Sequence, residues 1–463
     1  MTVLLQTAGE IARAVRAGEV KAAAVLDEAL ARQETVGAKV NAFTEVTTDR
    51  ARGEAAAVDE AVAAGRDPGP LAGVPFAVKN LVDIAGVSTL AGSRINADDA
   101  PKAADAPLIA RLNAAGGVLL GALNMGEYAY DFTGENSHYQ PSRNPWDTDH
   151  MTGGSSGGSG AAVASGLVPL ALGSDTNGSI RVPSAFCGLF GLKPTYGRLT
   201  RAGSFLFVAA LDHLGPFARS PVDLALAYDV MQGPDPADPV CAQKPAEAIS
   251  GELAKGADGL RIAVADGYFE QNAVPAALEA VAKAAKALGV DRRVTIPEAA
   301  RARAAAYVIT TAEAGNLHLK RLRERPLDYD GAVNERLMAG ALAPANWVFQ
   351  AQRFRSWYRD RVREVFKDVD VILTPATPIP APRIGQKTMM LDGNEVPVRA
   401  HIGIYTQPIS FIGLPVAVAP VHGLGPLPFG VQVIAPAWRE DLALRVAAEL
   451  ERSGVASAPV APL

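Results

Sequence analysis

Apolar residues recur with a helical period in the first part of the chain. Ile11 and Val15 fall on one helix face. Thr7, with Glu10 three positions later, matches a capping box, in which each side chain bonds the backbone N–H of the other residue. An Ala-rich stretch then continues the helical texture. These positions predict an N-terminal helical segment over residues 1–65.

Short apolar runs replace the helical period between about residues 70 and 220. Strand-like runs at Val74–Val78, Val118–Leu120 and Leu170–Leu172 alternate with Gly-rich turns and with a helix-like segment, Leu108–Ala115. Alternation of strands with helices is typical of α/β architecture. This part of the chain is therefore predicted to be an α/β core.

The pattern is mostly helical again from about 225 to 345, apart from a strand-like run at Leu260–Val264. Strand-like runs return at Val369–Leu373 and Phe429–Ile434. No Pro/Gly/Ser-rich linker divides the chain. Since strand patterns at both ends enclose a helical middle, we predict a single domain over 1–463, with one large sheet and a helical insertion.

The composition excludes several functional classes. Of 463 residues, 49% are hydrophobic and 20% are charged, as in an ordinary folded enzyme. A formal net charge of -5 without a basic stripe argues against a nucleic-acid partner. The chain shows neither a signal-peptide pattern nor the ~18-residue apolar run of a membrane span. With Cys187 and Cys241 expected to be reduced, we predict a cytoplasmic protein.

A glycine–serine stretch lies between the predicted strands at Val118–Leu120 and Leu170–Leu172. Residues 152–160 read TGGSSGGSG and lead directly into the helix-like Ala161–Ser165. A flexible linker would not run into an apolar helix in mid-domain, and a phosphate-binding P-loop would need a following Gly-Lys-Ser/Thr. We therefore interpret these glycines as positions where the backbone approaches a substrate or adopts torsions closed to other residues.

The same stretch contains the G-x-S-x-G pattern of an α/β-hydrolase nucleophile elbow, centred on Ser156. His213 and His422 are the conceivable partners of such a serine. That elbow must follow a strand, whereas residues 144–152 contain a proline, two aspartates and no apolar run. An esterase built on Ser156 stays open as a weaker alternative.

Two further positions carry candidate chemistry. Ser179 lies in a Gly-containing turn after the run that begins at Leu170, where a serine can attack an acyl group while turn N–H groups receive the oxyanion. Most turns of this kind are structural. Lys79 directly follows the run Val74–Val78. It is either a solvated strand end or a buried lysine, whose pKa then falls below the free value of ~10.4 so that it acts as a base.

Together, Lys79, the GGSSGGS segment at 153–159 and the DTNGSIRVPSAFCGLFGLKPTYG segment at 175–197 resemble the amidase-signature family. The resemblance extends from about residue 8 to 450, and these motifs are highly specific. It implies an α/β fold in which a large mixed β-sheet is covered by helices on both faces. It also implies amide hydrolysis without a metal or a cofactor.

The resemblance assigns roles to individual residues. Ser179 matches the nucleophile, Ser155 the bridging serine and Lys79 the base that acts through it. The Gly154–Ser155 peptide bond is expected to be cis, a costly geometry for a non-proline bond. The oxyanion hole is matched by the backbone N–H groups of Thr176, Asn177, Gly178 and Ser179.

One departure from the family pattern precedes the nucleophile. Many members carry two glycines there, whereas this chain has Asn177 and then Gly178. Asparagine tolerates left-handed torsions, and its amide can also bond a polar substrate. We interpret the departure as a tuned pocket.

Within the family, the glutaminase component of the tRNA-dependent amidotransferases is a template for substrate binding. It implies substrate contacts at Met125 and Tyr128. Arg355, on a predicted long helix, falls where that protein clamps the glutamine carboxylate, although a solvated helix arginine is the other interpretation. Gly403 falls where the aspartate for the glutamine ammonium is expected. The next candidate cations for the carboxylate are Arg353, Lys320 and His318.

The combination of NMGEYAY, ENSHY, YDGAVNERL, YTQPISFIGLP and WREDLALRVAAEL is most similar to the subgroup of 1-carboxybiuret hydrolases of cyanuric-acid degradation. That resemblance implies a small acylurea substrate with a carboxylate, released ammonia and a small helical partner subunit in a heteromeric oligomer. Three alternatives stay open: a general small-amide amidase, a glutaminase subunit of a tRNA-dependent amidotransferase, and a catalytically silent scaffold that binds partners.

Overall fold

The computed structural model describes residues 2–463. Within this range the strands are β1 (Phe43–Val46), β2 (Pro75–Lys79), β3 (Val118–Leu123), β4 (Arg143–Asn144), β5 (Asp147–Met151), β6 (Leu170–Asp175), β7 (Phe190–Lys193), β8 (His213–Ala218), β9 (Ile262–Ala265), β10 (Arg293–Val294), β11 (Val371–Pro375), β12 (Thr388–Leu391), β13 (Asn394–Pro397), β14 (Val416–Val421) and β15 (Phe429–Ile434).

The α-helices of the same range are α1 (Ala8–Arg16), α2 (Ala22–Arg32), α3 (Ala38–Val40), α4 (Thr48–Ala63), α5 (Pro107–Ala114), α6 (Gly157–Ala164), α7 (Arg181–Cys187), α8 (Pro221–Met231), α9 (Pro275–Ala287), α10 (Ala299–Glu324), α11 (Gly331–Ala341), α12 (Ala345–Val365), α13 (Val398–His401), α14 (Gln407–Ser410) and α15 (Glu440–Arg452). No helix within residues 2–463 is both long enough and apolar enough to cross a membrane.

Eleven strands form one mixed sheet in the order β1-β3-β2-β6-β8-β7-β14-β15-β11-β9-β10. The neighbours of β2 and of β9 pair with them in parallel, and the other pairs are antiparallel. The predicted fold class, a large mixed sheet with helices, is confirmed. The strands come from both ends of the chain, and the helical middle adds β9 and β10 at one edge.

Helices cover both faces of the sheet. Every residue of the nine interior strands is buried, whereas the edge strands β1 and β10 are partly exposed. Successive side chains of a strand point to opposite faces. Complete burial along a strand therefore requires cover on each side, which explains the nearly continuous apolar runs in the sequence.

The local patterns place most elements within a few residues of their observed bounds. Thr7 Oγ1 accepts from Glu10 N at 3.2 Å while Thr7 N donates to the Glu10 carboxylate at 2.9 Å, which confirms the capping box. Strand β6 continues beyond the apolar run at Leu170–Leu172, because Ser174 and Asp175 still pair with β8. Both polar side chains are buried there, so hydropathy alone ends the strand too early.

Helices α10 and α11 pack with almost no space between their backbones. A Cβ at Gly340 on α11 would overlap the carbonyl oxygen of Thr311 on α10. Gly331, at the start of α11, has open space around its Cβ position and no positive φ. The glycine at 340 is therefore required by the close approach of two helices, whereas the one at 331 is not.

We expect Gly340→Ala to lower the melting temperature measurably, because overpacking a tight contact costs about 1–3 kcal/mol. Gly331→Ala is the matched control on the same helix. It should leave the melting temperature unchanged or raise it slightly, since alanine favours helix over glycine by about 1 kcal/mol. Differential scanning fluorimetry on both variants checks this, and equal melting temperatures would contradict the close contact between the two helices.

Candidate active site

Three segments of the chain meet at one edge of the sheet. Lys79 is the last residue of β2, the GGSSGGS segment leads into α6, and Ser179 follows the end of β6. Because β2 and β6 are parallel neighbours, their carboxyl ends open at the same edge. In open α/β sheets this edge is where ligands bind.

Lys79 is wholly buried and surrounded by hydroxyl groups. Its Nζ donates to Ser155 Oγ at 2.6 Å, to Ser174 Oγ at 2.9 Å and to Ser156 Oγ at 3.1 Å. Burial lowers the pKa of Lys79 to about 7, against the attraction of nearby carboxylates, chiefly that of Asp212. A substantial fraction of this side chain is therefore a neutral amine near neutral pH.

The GGSSGGS segment is held by close backbone contacts. The Gly154–Ser155 peptide bond is cis, as the family resemblance implies. Gly154 N donates to Phe132 O at 2.8 Å, and a Cβ at Gly154 would lie 2.6 Å from Gly134 N. A Cβ at Gly158 would meet backbone atoms of Asn124 at a similar distance. These glycines let three backbone segments approach each other directly.

The turn that carries Ser179 is closed by a buried ion pair. Asp175 accepts from Ile180 N at 3.2 Å and from the Arg181 guanidinium at 3.0 Å, and both charged side chains are fully buried. Burial works to raise the pKa of the Asp175 carboxyl, but the Arg181 guanidinium holds it below its ordinary value. The carboxylate therefore stays charged and fixes both ends of the turn.

Backbone N–H groups of this turn remain available. Those of Asn177, Gly178 and Ser179 have no acceptor within residues 2–463. Gly178 has φ +146°, and a Cβ there would overlap Thr406 Oγ1, so only glycine fits. Asn177 has no positive φ. The left-handed torsion that the sequence suggested for the asparagine therefore belongs to its neighbour.

Ser179 opens onto a cavity of about 690 Å³. The wall combines aromatic rings with three arginines and one aspartate. Its main polar and aromatic lining residues are Tyr130, Asp131, Phe132, Thr176, Asn177, Phe207, Arg303, Tyr307, Thr310, Arg336, Arg399 and Gln407. With three guanidinium groups against one carboxylate, this cavity favours an anionic ligand.

The three arginines differ in how far protein groups already engage them. Arg399 forms ion pairs with Asp131 and Glu135. Arg336 donates to Ala332 O at 2.7 Å and to Tyr130 O, and its guanidinium lies 4.0 Å from the centroid of the Tyr130 ring. Arg303 donates to Gln407 Oε1 at 3.0 Å and to Ala400 O at 2.6 Å. Within residues 2–463 neither Arg303 nor Arg336 has a carboxylate partner, so the charge of each is available to a ligand.

Two of the predicted substrate contacts lie behind the cavity. Met125 is buried in the core, and Tyr128 is buried with its hydroxyl bonded to Asn96 Oδ1 at 2.9 Å. Their neighbours Ala129 and Tyr130 line the cavity instead. Tyr128 and Ala129 both have positive φ, so the chain reverses here and the two tyrosines of NMGEYAY point apart. Local spacing alone does not reveal such a reversal.

The structure does not bring Arg355 into this cavity. Its guanidinium donates to Phe411 O and to Ala210 O, and it lines a separate groove beside Tyr196. Two backbone carbonyls thus use the donors that a carboxylate clamp would need. Of the three arginines that line the cavity, Arg336 belongs to the YDGAVNERL motif on which the subgroup resemblance partly rests.

The contacts of the remaining predicted substrate-binding positions show where each lies relative to the cavity. The Phe132 ring fills the space that a side chain at Gly403 would need, so an aspartate does not fit there without rearrangement. His318 is buried against Tyr128, with ring centroids 4.2 Å apart. Arg353 and Lys320 are exposed and do not line the cavity.

The Ser156 hydroxyl is hydrogen-bonded to Ser174 and Lys79 and not to a histidine. It donates to Ser174 O at 3.1 Å and accepts from Lys79. His213 contacts Asp175 O at 2.9 Å, and the His422 ring packs on Trp146 at 4.8 Å. Ser156 is fully buried at the start of α6. The arrangement lacks the serine–histidine contact that an α/β-hydrolase elbow requires.

Comparison with known proteins agrees with this geometry. A sequence model of the amidase family matches residues 24–444. AtzE of Pseudomonas sp. strain ADP, which is part of a 1-carboxybiuret hydrolase, is 52% identical over 450 residues, covering 96% of this chain and 98% of that protein. A glutamyl-tRNA(Gln) amidotransferase component from Synechococcus sp. strain WH7803 is 38% identical over 467 residues, covering 94% of each chain.

Solved structures show the same relationship. One chain, from a vestigial protein complex that reveals the evolutionary origins of an s-triazine catabolic enzyme, superposes with a TM-score of 0.97 at 51% identity, covering 98% of this chain and all of that one. The family match, the identities and the shared sheet agree over nearly the whole length. The chain therefore belongs to the amidase family and is an amidase-signature hydrolase.

Proposed function

We propose that this enzyme releases ammonia from a small carboxylated amide or acylurea, of the 1-carboxybiuret type. The observation that carries the proposal is the 2.6 Å contact between Lys79 Nζ and Ser155 Oγ, wholly buried behind a cavity that Ser179 lines. The similarity to a 1-carboxybiuret hydrolase protein supports the choice of substrate class.

Lys79 acts as the general base in its neutral form. It takes a proton from Ser155, Ser155 takes one from Ser179, and Ser179 Oγ attacks the amide carbonyl. The backbone N–H groups of the turn at 176–179 receive the negative charge that develops on the carbonyl oxygen. As the C–N bond breaks, the proton returns through Ser155 to the leaving nitrogen, and ammonia departs.

A covalent acyl group on Ser179 remains after ammonia has left. Water attacks this ester while the same serine–lysine relay accepts its proton. The tetrahedral intermediate then collapses, the C–O bond to Ser179 breaks, and the serine regains its proton from the relay. Every proton that Lys79 accepts is thus given back within one turnover, which needs no titratable group beyond the relay.

Recognition of the substrate carboxylate is assigned to Arg336. A guanidinium offers parallel donors that match a carboxylate, and this one is held against the Tyr130 ring on the cavity wall. The aspartate in the cavity, Asp131, is already paired with Arg399 and accepts from Gly134 N. It is therefore a poor partner for the ammonium of glutamine, which disfavours the glutaminase alternative.

The proposal extends to the assembly. The relative with 52% identity is one subunit of its enzyme, and the chain with a TM-score of 0.97 comes from a protein complex. We propose that this chain also works with a small helical partner subunit in a heteromeric oligomer. A cytoplasmic location and a single-domain organisation are part of the same proposal.

We expect Ser179→Ala to abolish ammonia release, because no other group can form the acyl-enzyme. Lys79→Ala should be nearly as severe, and Ser155→Ala less complete, since water can replace the bridging hydroxyl. Residues that act as one unit give such non-additive losses. Ser159→Ala is the control, because that buried hydroxyl bonds only Leu172 O. Substantial turnover by Ser179→Ala would end the proposal, and an inactive Ser156→Ala with an active Ser179→Ala would favour the esterase.

Activity should fall as the pH drops through about 7. Lys79 has a pKa of about 7 and is a base only when neutral, so kcat/KM should decrease about tenfold per unit below that value. Burial raises the pKa of Asp212 to about 6, so this carboxyl also titrates nearby. The Asp212→Asn variant shows which of the two titrations causes the loss of activity.

Removing the Asp212 charge removes an attraction that raises the pKa of Lys79. If the fall of kcat/KM at acid pH is due to Lys79, it should therefore move to lower pH in Asp212→Asn. If that fall is due to Asp212 itself, it should disappear in this variant. A wild-type profile that stays flat from pH 8 down to about pH 5, where even a strongly depressed lysine pKa would lie, would rule out Lys79 as the base.

Arg336→Ala should reduce kcat/KM for succinamate much more than for butyramide, which lacks the carboxylate. Loss of a charge-assisted pair costs on the order of 2–5 kcal/mol, or roughly 30-fold or more. Arg336→Lys should recover only part of it. Arg355→Ala is the matched control and should leave the ratio of the two substrates unchanged. Equal losses for both substrates in Arg336→Ala would refute the clamp.

A further inference from the structure

Gln407 has one end of its amide fixed and the other end free. It is the first residue of α14 and only 5% exposed, yet it lines the cavity. Arg303 Nε donates to its Oε1 at 3.0 Å. Arginine only donates, so the atom that faces it must be the amide oxygen. The Nε2 group therefore points away from Arg303.

This Nε2 group has no acceptor within residues 2–463, and it is not one of the fully buried atoms that lack a partner, so it reaches the cavity that Gln407 lines. A donor that faces a cavity can bond water or an acceptor of a bound molecule. Arg303 is itself held by Ala400 O at 2.6 Å, which keeps the amide in this orientation.

The free donor and Ser179 face the same cavity. Thr406, the residue before Gln407, donates from its Oγ1 to Asn177 O at 2.6 Å and leaves room only for a glycine at 178. The start of α14 is thus joined to the turn that carries Ser179. A substrate whose scissile carbonyl lies at Ser179 can therefore present a second acceptor to Gln407 within this cavity.

We propose that Gln407, held by Arg303, donates a hydrogen bond to a second carbonyl oxygen of the substrate and so selects acylureas and related dicarbonyl amides over simple amides. In these compounds a single atom separates the second carbonyl from the scissile one. The inference rests on the proposed amide hydrolysis at Ser179. The Gln407 amide would bond a neutral carbonyl oxygen, whereas Arg336 would bind a carboxylate, so the two recognition elements are distinct.

Malonamide and isovaleramide test this donor. They have similar shapes, but the second carboxamide of malonamide is replaced by an isopropyl group in isovaleramide, and neither carries a charge. The kcat/KM ratio of the two should fall about 3- to 10-fold in Gln407→Met, which keeps the length but loses the donor. In Gln407→Glu the ratio should fall further, because a carboxylate still accepts from Arg303 but repels the carbonyl oxygen.

Two controls keep the outcome interpretable. Gln352→Met replaces a glutamine on α12 that lines the separate groove beside Arg355, and it should leave the ratio unchanged. Labelling of Ser179 by a fluorophosphonate checks that each variant retains its reactive centre. If Gln407→Met folds poorly, Gln407→Glu keeps the bond to Arg303 and provides the test alone.

The outcomes separate the two proposals. An unchanged malonamide-to-isovaleramide ratio in both Gln407 variants would overturn the role of Gln407 while the amide hydrolase proposal stands. If the wild-type enzyme hydrolyses neither these amides nor the carboxylated ones, the proposed function itself fails and the inference falls with it. A lower ratio in the Gln407 variants alone supports the inference.

Discussion

Lys79 lies at the end of a buried strand with three hydroxyl groups in hydrogen-bond contact and no carboxylate within that distance among residues 2–463. An ammonium group in such surroundings loses its hydration and touches only neutral oxygens, so burial lowers its pKa in spite of the more distant carboxylates. The strand positions the nitrogen, and burial sets its protonation state. The proposed proton relay and its expected pH dependence both rest on this one desolvated group.

The surrounding backbone must hold the hydroxyls rigidly for this to work. Ser174 belongs to β6, and Ser155 precedes α6, so Lys79 on β2 joins a strand and a helix entry that are 95 and 76 residues further along the chain. The pair Asp175–Arg181 closes the following turn from within the protein. Breaking a buried pair of this kind is strongly destabilising, because it leaves an uncompensated buried charge. The pair therefore holds the turn that carries Ser179.

The sequence motifs indicate which segments meet at the sheet edge better than they indicate the cavity wall. Lys79, Ser155 and Ser179 stand in short motifs, and the structure brings the segments that carry them together. Their roles as base, bridge and nucleophile stay predictions. Arg355 was predicted from the family resemblance, but which face of its long helix meets the cavity depends on tertiary packing. Tyr128 was predicted from its motif, and two left-handed residues turn it into the core. Such reversals have no signature in hydropathy.

The reactive centre and the wall of the cavity come from different parts of the chain. The sheet edge near β2 and β6 supplies the proposed relay, whereas α10, α11 and the segment around α13 and α14 supply most of the residues that line the cavity. Substitutions in those helices can change the shape and charge of the cavity while Lys79 and Ser155 keep their contact. In such a layout the choice of ligand can vary independently of the proposed chemistry.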